Sequence, residues 1–161
     1  MAGSLPSRAL NALGLSVTPP AGWEATIYRR AAQPGAATFP VMHACTTRLP
    51  AVRGDYGSGV VELLGPEDVF VALLDFGPAA ADTALFKTLN AVPGLTPDAY
   101  HPNQLQRTIR GQAGVQRFFN TRGRGFCLYS VIGSMAYRVP LTDRANQLIG
   151  SLHIDTQGPG E

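Results

Sequence analysis

Leu13, Leu15 and Val17 alternate with Gly14 and Ser16, the period of a half-buried strand. Pro19-Pro20-Ala21-Gly22 then turns the chain, because proline fixes φ and glycine permits φ > 0. Trp23, Ala25 and Ile27 resume the alternation, so a hairpin is expected, with Trp23 at the start of its second arm and facing the core. A Gly/Pro-containing loop over 31–40 precedes a strand over 41–47. That strand would place Val41, His43, Cys45 and Thr47 on one face and Met42, Ala44 and Thr46 on the other.

Further along, Asp55 or Ser58 is positioned to cap a short helix carrying Val60, Val61 and Leu64, with Gly65 as its stop. The run over 69–76 is apolar except for Asp75, which suits a central strand covered on both faces. Residues 77–104 are broken repeatedly by Gly and Pro, with room for a short helix over 82–89. A connection of this length in a small domain is usually functional, as a lid or a docking surface. A short strand is expected over 105–109. Stronger strands come next over 114–121 and 125–132, with Arg122-Gly123-Arg124 at hairpin spacing. The last regular element is a helix over 140–152. Leu141, Ala145, Leu148, Ile149 and Leu152 form its apolar stripe, Pro140 lies in its first turn, and Thr142 is a candidate cap.

Strands outnumber helices and join through short turns. The fold class is therefore α+β, a mainly antiparallel sheet with helices packed on its faces. The 161 residues make a single domain, 1–161, with a frayed tail from about 157. Apolar residues at 45% and charged residues at 15% exclude a disordered chain. No apolar stretch is long enough for a membrane span, and residues 1–15 carry no secretory pattern, so the expected location is cytoplasmic. The net charge of +2 is too small to call for a nucleic acid. It is unevenly spread: residues 101–161 hold seven Arg against three acids.

Among reactive groups, His43-x-Cys45 shares one strand face and is the first place to look for a metal or a thiol nucleophile. The other histidines and Cys127 lack ligand spacing, so no metal and no cofactor is expected, and the pair reads first as a buried thiol beside a hydrogen-bonded histidine. One bridge between Cys45 and Cys127 stays open, against the reducing cytoplasm. Asp75 is the carboxylate with the most perturbing surroundings, although its place near a strand end favours contact with solvent. Gly57-Ser58-Gly59 lacks the five-residue nucleophile elbow, and the Gly-rich turns match no phosphate loop. Arg107, Arg110, Arg117, Arg122 and Arg124 cluster around Phe118 and Phe119. They form a candidate interaction surface for anions or single strands, or else a charged sheet edge.

The order of an early strand over 13–17, the turn Pro20-Ala21-Gly22-Trp23, a second strand, a late long hairpin over 114–132 and a closing amphipathic helix resembles the PsbP-like superfamily. The runs Phe70-Val71-Ala72-Leu73-Leu74 and Phe126-Cys127-Leu128-Tyr129 resemble uncharacterised actinobacterial proteins of that type. The resemblance implies an α/β/α sandwich and a mostly non-catalytic family of accessory, import and chaperone proteins. It supplies no catalytic set to transfer. Three functions remain in view: a non-catalytic protein-binding, adaptor or chaperone-like module; a small enzyme or ligand-binding domain built on His43, Cys45 and Asp75; and an anion or nucleic-acid binder using the C-terminal arginines.

Overall fold

All nine residues of the strand Arg124–Ile132 are buried, as are seven of the eight in Val69–Phe76. Strands so apolar on both sides must lie at the centre of a sheet covered on both faces. The computed structural model, which describes residues 8–30 and 38–155, builds that sheet from six strands. In spatial order they are β3 (Glu24–Arg29), β4 (Pro40–Cys45), β5 (Val69–Phe76), β8 (Arg124–Ile132), β7 (Ala113–Thr121) and β6 (Lys87–Thr88). All neighbours run antiparallel except β6, which pairs parallel to β7. A smaller sheet joins β1 (Leu10–Ala12), β2 (Leu15–Val17) and β9 (His153–Ile154).

Register divides the main sheet into two faces. The row Ile27, Met42, Leu73, Leu128 crosses one face, and the row Tyr28, Val41, Leu74, Cys127, Phe118 crosses the other. The first face is covered by helix α2 (Arg138–Ile149) through Leu141, Ala145, Leu148 and Ile149, and by Leu15 and Val17 of the small sheet. The second face is covered at one end by the short helix α1 (Gly77–Ala81). There Ala80 lies over Gly125, and Phe76, Phe86 and Phe118 meet edge to face. Its middle is covered by the 46–65 loop, whose Leu49, Tyr56, Val60 and Leu64 pack on that cluster. The fold class is α+β as expected, with the helices on opposite faces.

Several local expectations differ from the structure. The strand over 13–17 does not pair across the prolines. Leu13 and Gly14, at φ 54° and 82°, instead make a tight turn between β1 and β2, and β3 joins the other sheet. Trp23 nevertheless faces the core. The capped helix around 58–65 reduces to a 3-10 turn over Val61–Leu63, because Gly57 and Gly59 sit at φ 87° and 98°. The helix over 82–89 is not formed. The helical turn lies earlier, at α1, where Pro78 starts it, and Lys87–Thr88 is extended. Residues 105–109 are not a strand; a 3-10 turn over Pro102–Gln104 precedes them, and His101 bridges to Gly114 instead. The long hairpin forms with a two-residue turn, Arg122 and Gly123, both at positive φ, so Arg124 belongs to β8. Helix α2 begins at Arg138, so Thr142 is not its cap; the Thr142 hydroxyl donates to Arg138 O one turn back. The expected tail from about 157, and the loop at 31–37, lie outside the described residues.

Gly133 closes the end of β8 against the turn at 65–68. Its N–H donates to Asp68 O at 2.9 Å, and a Cβ there would stand 1.8 Å from Gly65 O. Gly133→Ala should cost about 2–3 kcal/mol in urea unfolding, since backbone must move. Gly111→Ala has open space and bears only the strain of φ 85°, about 1 kcal/mol. Equal losses for the two would refute this account of the close approach.

Candidate functional site

His43 lies in the cross-strand row Thr26, His43, Ala72, Tyr129, Gln116 on the face that the 46–65 loop covers. It is fully buried. Its tautomer is set by its partners: Arg53 Nε donates to Nδ1 at 3.0 Å, so Nε2 carries the proton and donates to Asp55 O at 2.8 Å. Tyr28 and Phe70 pack edge-on against the ring. Tyr28 Oη donates to Asp55 Oδ1 at 2.7 Å, and Arg53 also donates to Pro50 O. Burial, and then the charge of Arg53, push the imidazole down to about 4, against the favourable bond to Asp55 O. His43 is therefore a neutral pin that holds residues 50–55 onto the sheet.

Cys45 shares this face, at the end of β4, with its thiol pushed up to about 11 by burial. Cys127 also points to this face, and burial takes it to about 12. Both are unbridged, and neither is a ready thiolate. Asp75 belongs to the opposite face, so His43 and Cys45 are not joined by it. Contrary to the expectation of solvent contact, Asp75 has no exposed surface. Asp75 stands opposite Phe126 of β8 near the end of β5, just before α1 begins at Gly77. Asp75 Oδ1 accepts from Gly77 N at 2.8 Å, and Oδ2 lies 3.5 Å from Arg124 Nε. Burial raises the Asp75 carboxyl, only partly offset by the Gly77 N–H and by Arg124. Among the described residues no cluster of His, Cys, Asp or Glu could hold a metal ion.

The arginines are split. Arg124 is buried with Asp75, because Arg124 belongs to β8 and not to the turn, so it is not part of an outer surface. Arg117 is exposed on the α2 side of the sheet, in register with Leu128. Arg122 occupies the hairpin turn, and Arg110 is exposed just before β7. Arg107 lies on the other side, 3.1 Å from Glu62. The irregular 77–104 segment is anchored rather than loose. Asn146 of α2 exchanges two hydrogen bonds with the backbone of Leu95, and the buried Tyr100 Oη meets Ser130 Oγ at 2.8 Å.

What the sequence did not disclose is a cleft of about 430 Å³ between the 46–65 loop and the stretch leading into β7. Tyr56, Val61, Leu105, Ile109, Tyr129 and Val131 contribute its apolar wall, with the Tyr56 and Tyr129 rings edge to face at 5.4 Å. Glu62 and Arg107 pair at its rim, and Glu62 also accepts from Gly59 N at 2.7 Å. Gln112 is part of the lining, only 4% exposed, and its Nε2 donates to Val61 O at 2.8 Å. Its Oε1 has no partner among the described residues. The signal for this site was the spacing Gly54, Gly57, Gly59: Gly57 lies against the Phe70 ring, where no side chain fits, and lets the loop settle on the sheet. No family model, curated protein or solved structure matches the chain. Its function is read from this geometry.

The buried charges and the histidine set two expectations. A neutral His43 contributes stability that is whole above pH 6.5 and is lost as pH falls toward about 4. The loss is about 3 kcal/mol. His43→Gln, which can accept from Arg53 and donate to Asp55 O, should flatten that step in denaturation curves taken across pH. Asp75 pulls the other way, its raised carboxyl lending stability at low pH, so the comparison with His43→Gln isolates the histidine. Asp75→Asn strands the Arg124 charge and should cost about 3–5 kcal/mol. Adding Arg124→Met should recover most of that loss, and a double variant no more stable than the single one would contradict the pairing.

Proposed function

We propose that this chain is a non-catalytic protein-binding module, an adaptor or chaperone-like domain, that receives its partner at the cleft beside the 46–65 loop. The observation that carries this reading is the arrangement of that cleft: an apolar wall with two tyrosine rings, the polar side chains of Asp55, Ser58, Gln106 and Gln112 among its lining, and the Glu62–Arg107 pair at its rim. Protein interfaces have this anatomy. Beside it, the groups suited to chemistry are committed elsewhere. His43 is engaged as a pin, the thiols are held protonated, and Asp75 is on the far face. Unbridged buried thiols fit a reducing compartment, in keeping with a cytoplasmic location. Among the described residues no helix is long and apolar enough to cross a membrane. A nucleic-acid surface is less well supported, since Arg107 and Arg117 lie on different sides and Arg124 is enclosed.

Affinity capture from the native host, with the full chain as bait, tests the reading. Arg107→Glu places two acids together at the rim and should reduce recovery of a wild-type partner about tenfold. Arg117→Glu, on the other side, should leave it unchanged. A partner indifferent to Arg107→Glu, or turnover of a small molecule without any partner, would overturn it.

A further inference from the structure

The turn joining β7 to β8 stands beside two adjoining cavities, of about 80 and 440 Å³. Asn90, Thr121 and Arg122 line both. His153 of β9 lies in the smaller one, and Thr88 and Asn120 in the larger. Among the described residues neither lining contains a carboxylate, whereas the cleft beside the 46–65 loop carries Asp55 and Glu62. Thr121 is only 5% exposed, yet its hydroxyl makes no hydrogen bond with any described residue. Buried hydroxyls ordinarily find a partner. Unlike the enclosed Gln112 Oε1, the Thr121 oxygen is not sealed from water, so an occupant of the cavities can reach it. Arg122 is exposed, held at φ 55° in the two-residue turn, and forms no ion pair or hydrogen bond among the described residues. Beside them Asn120 is committed, its amide donating to Ala81 O and Phe86 O and so fixing the wall of the larger cavity. Arg124 stands directly across the strand pair from Thr121. Its guanidinium is enclosed, so it acts through its charge rather than by contact, and Asp75 at 3.5 Å offsets part of that charge.

We propose that this end of the β7–β8 hairpin binds a small oxyanion, a phosphoryl or carboxylate group, held by the Arg122 guanidinium and the Thr121 hydroxyl. Both are donors with no other claim on them, and guanidinium presents a fork of N–H groups that matches two oxygens of such an anion. A cation would meet no acid here. An apolar occupant would leave the Thr121 hydroxyl unmet. The smaller cavity has room for a group of a few heavy atoms, since a water takes about 30 Å³. The larger one leaves space for the molecule that carries the group. The Thr121 side chain points to the α2 side of the sheet, in register with Arg124, while the cleft lies on the opposite face. The site is therefore independent of what the cleft receives.

The probes are inorganic phosphate and acetate, titrated separately at constant ionic strength into the isotopically labelled full chain and followed by NMR. Saturable shifts should centre on Asn90, Thr121, Arg122 and His153. Arg122→Asn keeps a residue that tolerates positive φ and should weaken binding about tenfold. Thr121→Val removes only the hydroxyl and should weaken it about fivefold. Arg110→Gln, exposed just before β7, should leave it unchanged. Tighter binding of phosphate supports a phosphoryl group as the ligand, and equal or tighter binding of acetate supports a carboxylate. Absence of a saturable shift with either anion would overturn the site. So would shifts spread evenly over Arg107, Arg110 and Arg117, or affinity unaltered in both Arg122→Asn and Thr121→Val.

Discussion

Everything in this fold depends on a sheet whose central pair, β5 and β8, is closed to water on both sides. Removing that much apolar surface from water is the dominant favourable term, and it dictates what else the chain must supply. One face is met mainly by an amphipathic helix, with Leu15 and Val17 of the small sheet beside it. The other has only five helical residues in α1, so a loop must do the rest. A loop brings its backbone polar groups with it, and these need partners. His43 and Arg53 provide them for Asp55 O and Pro50 O, and Tyr28 holds the Asp55 carboxylate beside them. The polar cluster that looked reactive in the sequence is thus a consequence of covering a sheet with irregular chain.

The same requirement explains the cleft. A helix laid over Tyr129 and Val131 would present a continuous row of side chains. The loop descends onto Phe70 where glycine lets it, rises again through the 3-10 turn at Val61–Leu63, and leaves a gap before Leu105. Recognition and coverage are therefore coupled: whatever loosens residues 50–55 also removes the wall carrying Tyr56. A histidine that must stay neutral is a condition on both.

Much of the framework was legible because the signals were dense. The apolar run over 69–76, the alternating hairpin and the apolar stripe of the last helix each specify a period and a buried side; the structure keeps the first two and four residues of the third, Leu141, Ala145, Leu148 and Ile149, while Leu152 is buried just beyond the end of α2. Trp23 was recognisable as core for the same reason. Two of the errors fell where one glycine decides the backbone: Gly14 redirected the first hairpin, and Gly57 and Gly59 prevented a helix. Burial of Asp75 and Arg124 was not legible because it depends on β8, from a distant part of the chain, bringing Arg124 beside the end of β5. Gln112 carried no signal at all, since an orphaned oxygen exists only once the fold has withdrawn its neighbours.

The small sheet has a consequence of its own. β2 is completed only by β9, with Leu15 facing Ile154 and Ser16 facing His153 across nearly the whole length of the chain. On the ribosome, the earliest strands emerge long before the segment that will lie beside them. Closing so large a loop is entropically slow. The β1–β2 hairpin is local in sequence, whereas its pairing with β9 waits for a segment that follows directly after α2.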